Sequence, residues 1–149
     1  MAQLAPGPVD CSAIGPASAD WPVTQTPAFA IRVPSDYRYQ AVATVSGVAG
    51  RWIRRPGRGQ SIIDFFLGPP YKRSAQQVVS SCKEIIGGQQ AQLQMGINQM
   101  GDYVVQVTWL KPLPSHPGWY LELSAFTASP AEQLEALSAI RSITLNAGA

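Results

Sequence analysis

One histidine and two cysteines leave this chain little from which to build a metal centre. His116 stands in a Pro-Ser-His-Pro loop, and Cys11 and Cys82 lie too far apart in sequence for a zinc-ligand pair, so no metal or cofactor is expected. Nucleophilic catalysis lacks its parts as well. No G-x-S-x-G elbow is present, and Ser115 is not made a triad member by standing next to His116. Charged residues make up only 13%, about half the usual share, and the nine acids are scattered. Glu132 and Glu135 fall in the first turns of an expected helix, where the helix dipole accounts for them without paired-carboxylate chemistry. No phosphate-cradling loop occurs: Gly57-Arg58-Gly59 lacks both a following helix and the Lys-Ser/Thr of a nucleotide site. Nor does any run approach the ~20 apolar residues of a membrane span.

What is present is a 149-residue chain, 46% hydrophobic, with enough apolar surface for one domain and no room for a second. Thirteen prolines and thirteen glycines cut it into short elements. Five prolines within 1–27 exclude regular helix and predict an N-terminal arm, leaving 28–149 as a single α/β domain. Phe29 to Val33 alternates as a first strand, and Tyr37, Tyr39 and Val42 continue raggedly. A hairpin follows, from Gly50 to Arg55 and from Ser61 to Leu67, turned by Pro56-Gly57-Arg58-Gly59.

The stretch from Ser74 reads as a helix. Ser74 and Gln77 make a capping box, Val78, Val79, Cys82, Ile85 and Ile86 recur at helical spacing, and Gly87-Gly88 ends the run. Ala91, Leu93, Met95 and Ile97 then alternate with glutamines as a strand, and Tyr103 to Leu110, apolar on both faces, reads as a central one. Trp119 to Phe126 is another strand. Ser129-Pro130-Ala131-Glu132 opens a closing helix whose apolar stripe is Leu134, Leu137, Ile140 and Ile143.

The opening F-x-I-x-V-P strand, the G-R-W hairpin, the I-G-G-x-x-A step and the terminal helix closing on Ile140-Arg141-Ser142-Ile143 resemble the PsbP-like fold over 28–145. That resemblance implies an antiparallel sheet between helices, an α-β-α sandwich, serving as a docking surface without catalysis, with the uncharacterised exported bacterial members as the nearest likeness.

Two features bear on function. Cys11 and Cys82 can form a disulfide, whereas the helical spacing of Cys82 equally fits a buried free thiol, and both readings stay open. The start at Met1-Ala2-Gln3 has no signal-peptide block, yet it suits a mature exported chain, periplasmic or extracellular. Charge is the second feature. Eight of the eleven basic residues fall between 32 and 73 against only Asp36 and Asp64, while the rest of the chain is acidic. Arg51, Arg54, Arg55 and Arg58 cluster beside Trp52, residue types enriched at binding hot spots. These five are the expected docking residues for an anionic surface or an acidic protein; the plainer reading is a solvated edge hairpin whose charges prevent sheet-to-sheet pairing. Nucleic acid is not expected, because pI ≈ 8.7 is modest and no stacking motif accompanies the arginines. Two rival classes are a small-ligand binder or enzyme with a pocket lined by Trp109, Trp119 and Tyr120, and a structural component of a larger envelope assembly.

Overall fold

A computed structural model describes residue 7 and residues 9–54, 61–69 and 77–146. Among them are ten strands and one helix: β1 (Val23–Gln25), β2 (Phe29–Arg32), β3 (Tyr37–Val42), β4 (Val48–Arg54), β5 (Ile62–Gly68), β6 (Gln77–Ile86), β7 (Gln89–Ile97), β8 (Tyr103–Trp109), β9 (Tyr120–Thr127), α1 (Pro130–Arg141) and β10 (Thr144–Leu145). Seven strands form one antiparallel sheet in the order β3-β4-β5-β9-β8-β7-β6, and β1, β2 and β10 form a second.

The expected helix-flanked α/β sandwich is therefore not what this chain builds. The fold is mostly β, with a single helix that lies against β8, β9 and β2. The correction turns on the stretch ending at Ile86. From Gln77 it is a strand and not a helix, pairing antiparallel with β7 from Gln77↔Ile97 to Ile86↔Gln89. Ser74, its supposed cap, lies outside the described residues. Two physical causes made the strand read as helical. Its register shifts between Val78 and Ser80, so a bulge breaks the two-residue alternation and leaves apolar side chains at helix-like spacing. Gly87 and Gly88 have φ of 63° and 87°, the two left-handed positions of a tight hairpin turn and not a helix stop. The β-branched pairs Val78-Val79 and Ile85-Ile86 favour the extended state besides.

Elsewhere local chemistry and structure agree. The Arg-bearing hairpin forms with Ile53 opposite Ile62. Ser129 caps α1 by accepting from Glu132 N–H, with Pro130 in the first turn. Glu132 completes the box by accepting from Ala128 N–H at 3.0 Å.

Strand alternation sorts the seven-stranded sheet into two faces. The inner face carries Trp52, Ile63, Phe65, Leu121, Leu123, Val105, Val107, Leu93 and Met95, all buried beneath the small sheet and α1. On the other face one row crosses all seven strands with polar side chains only: Gln40, Arg51, Asp64, Ser124, Gln106, Gln94 and Ser81. The segment read as an arm contributes to the body. β1 pairs with β2, and Val9, Cys11 and Trp21 pack against the core.

Candidate functional site

The alternation of β4 divides the five expected docking residues. Arg51 points to the outer face and is exposed, while Trp52 and Arg54 point inward. Trp52 is fully buried, its ring centroid 4.9 Å from Tyr39, 5.8 Å from Phe65 and 6.1 Å from Phe29, and its Nε1–H donates to Thr24 Oγ1 at 3.3 Å. It is a core residue. Arg55 and Arg58 lie outside the described residues.

Arg54 is only 6% exposed, and three carboxylates from two distant stretches meet it. Its Nε lies 2.8 Å from Asp36 Oδ2; Nη1 lies 3.3 Å from Glu132 and 3.1 Å from Glu135; Nη2 donates to Glu135 Oε2 and Asp36 Oδ1. The guanidinium lies over the Tyr37 ring, 4.6 Å from its centroid, a cation–π contact. Ser61 Oγ–H donates to the second oxygen of Glu132 at 3.0 Å. One carboxylate thus caps the helix, receives Ser61 and pairs with the sheet arginine. Burial pushes the Tyr37 hydroxyl up to about 12, against the opposing pull of the Arg54 charge. Burial lowers the Arg54 pKa, but the hydrogen bonds and charge of its partners, Glu135 foremost, outweigh this and leave it above its ordinary value.

Asp36, Arg54, Glu132 and Glu135, with Trp21, Pro34 and Ser35, line a cleft of about 400 Å³. Three acids face one arginine there, so the charged residues that line this cleft are mostly acidic. The carboxylates are already hydrogen-bonded to a guanidinium, an arrangement that fixes geometry. The sequence does carry a signal for this centre. Arg54 is two residues from Trp52, so on a strand both share a face, and a buried arginine requires acids.

On the outer face, Arg38 and Arg51 occupy adjoining strands at the sheet edge, both exposed. Gln40 stands opposite Arg51, and Arg38 is two residues along from Gln40, so the two guanidiniums are diagonal neighbours. Asp64 flanks Arg51 on its other side.

Cys11 and Cys82 are joined, with Cα atoms 6.1 Å apart and a sequence separation of 71. Bending the arm back over β6 brings together what the sequence holds apart. One oxygen of Asp10 and both sulfurs lie within 4.8 Å of one another. His116 bonds Ser115 through Nδ1 at 2.9 Å and stacks on Trp119, an arrangement local to its loop. Trp109 is fully buried with its Nε1–H donated to Ile86 O. A second cleft, of about 450 Å³, is lined by Gly88, Gln89, Gln90, Leu110, Lys111 and Pro112, and neither cleft takes any part of its wall from Trp109, Trp119 or Tyr120. No helix among the described residues is long and apolar enough to cross a membrane.

Comparison with protein-family models, curated proteins and solved structures finds no match to this chain.

Proposed function

We propose that this protein is a non-catalytic binding module of an oxidising, extracytoplasmic compartment that meets an anionic surface through the β3–β4 edge. The observation that carries this reading is the pair Arg38 and Arg51, exposed as diagonal neighbours on one face of the edge strand β3 and of β4 beside it. A guanidinium grips a phosphate or carboxylate through two parallel hydrogen bonds, and two adjacent ones present a donor surface that lysines would not reproduce. Arg54 and Trp52 serve the site indirectly by fixing β4 in place. The Cys11–Cys82 bond supports that compartment, since such bonds persist where the surroundings are oxidising. The test uses vesicles of neutral phosphatidylcholine with and without acidic phosphatidylglycerol. Sedimentation with the acidic vesicles is expected at low salt and should weaken toward physiological ionic strength, where the screening length falls to about 8 Å. The Arg38→Ala/Arg51→Ala double variant should lose it. Equal retention of the variant and the native chain would remove this edge from the reading.

A further inference from the structure

Reduction of a disulfide normally lets its two chains part, but Cys11 is held in place by more than its sulfur. Its N–H donates to Ser80 Oγ at 3.0 Å and its carbonyl accepts from Arg141 Nη2 at 2.7 Å. The same guanidinium holds the carbonyl of Ala13 and is itself fixed by Glu84, 3.0 Å away on β6. Upstream, Val9 N–H donates to Gln133 Oε1 at 2.8 Å, and Gln133 is anchored through its amide to Val104 O. The backbone around Cys11 is therefore tied to β6 and α1 on both sides of the sulfur. When a dithiol gives two electrons and two protons to the S–S bond and closes to its own disulfide, Cys11 and Cys82 become thiols that still face each other.

We infer that the reduced protein holds a thiophilic divalent cation, Zn²⁺ by chemistry, between the Cys11 and Cys82 sulfurs and the Asp10 carboxylate. The three ligand atoms already lie within 4.8 Å of one another. Tetrahedral Zn–S bonds of ~2.3 Å need neighbouring ligands roughly 3.8 Å apart, so the two sulfurs, bonded to each other in the oxidised chain, move apart on reduction while the Asp10 oxygen draws in. Two thiolates and one carboxylate leave a fourth position for water, and the metal enters by displacing the two thiol protons to solvent. Asp10 is exposed and supplies the route in, whereas Cys11 is buried and supplies a dry floor. Ser12 donates its N–H and its hydroxyl to Asp10 Oδ1, at 2.9 and 2.6 Å, which orients the carboxylate. Sulfur ligands discriminate against Mg²⁺ and Ca²⁺, which seek oxygen. Oxidation and metal binding thus compete for the same two sulfurs.

The experiment uses the full chain, reduced with a phosphine that leaves as its oxide, then freed of reductant without oxygen. Titration with Cd²⁺ is followed by the ultraviolet thiolate-to-metal band, with Zn²⁺ as competitor and circular dichroism as a check on the sheet. One cation per reduced chain is expected, none per oxidised chain, and no response to Mg²⁺. Cys82→Ser should abolish the band, and Asp10→Asn should weaken binding by about tenfold or more, as loss of a ligand or its support does. A reduced chain that shows no band overturns the inference. So does an Asp10→Asn variant that titrates like the native chain, or a band that appears only with loss of the sheet signal.

Discussion

Arg54 brings one positive charge to a point where three carboxylates converge, so its removal leaves more than a missing contact. Arg54→Ala would set Asp36, Glu132 and Glu135 against one another beside a buried phenol, and stability should fall by about 3–5 kcal/mol, the usual result of breaking a buried ion pair from one side. Urea denaturation measures it. Arg54→Lys should recover only part of the loss, because an ammonium cannot reach Asp36 and Glu135 through separate parallel bonds. Tyr37 gives the same cluster a pH signature. Its hydroxyl is raised to about 12 in the folded chain against 10.0 ordinarily, so the unfolded chain loses this proton first. The contribution to stability is intact below pH 10.0 and declines between there and about 12, by roughly 2–3 kcal/mol over the interval. Comparing the native chain with Tyr37→Phe across that range isolates it: the native chain should show the steeper loss, and equal slopes would mean that the phenol does not titrate late.

At the scale of elements, β6 shows how far the sequence could be read. The strands of the Arg hairpin, the β7–β8 pair with its Asn98 to Asp102 turn, β9 and the capped helix α1 all follow from alternation, turn residues and capping chemistry, because each depends on neighbours in sequence. β6 does not, since its bulge removes the alternation and its pairing with β7 is what decides for strand. Its exposed apolar side chains, Val79 at 62% and Ile85 at 69%, would have been the buried stripe of a helix. The docking residues divide in the same way. That Arg54 is buried was readable from its phase with Trp52, but its acids come from Asp36 and from α1 far along the chain, which no local pattern specifies. The disulfide was left open for the same reason, and its closure adds a prediction. A loop closed over 71 residues stabilises by about 4 kcal/mol in the chain-entropy model. Cys82→Ser should therefore lower the melting temperature by roughly 10 °C while the sheet signal survives, since Arg141, Ser80 and Gln133 still hold the arm.

For the molecule as a whole, stability should grade from the middle of the large sheet outward. β5, β9 and β8 sit between other strands and carry Ile63, Phe65, Leu121, Leu123, Val105 and Val107 in the core, whereas β3 is an edge with half its side chains exposed. Native-state hydrogen exchange should find the amides of Leu123 and Val107 among the slowest and those of β3 among the fastest, and uniform protection across the sheet would contradict this order. The two fully buried tryptophans give the same architecture an optical readout. Trp52 is tied to Thr24 among the aromatic rings of the β3–β4 side, and Trp109 is tied to Ile86 beside the β6–β7 turn, so the two indoles stand toward opposite edges of one sheet. Each is a native fluorophore in a dry setting. With Trp21 and Trp119 also replaced by phenylalanine, replacing one of the two leaves the other to report its own side, and an unfolding curve from each would tell whether the edge held by ion pairs and the edge held by the disulfide let go together.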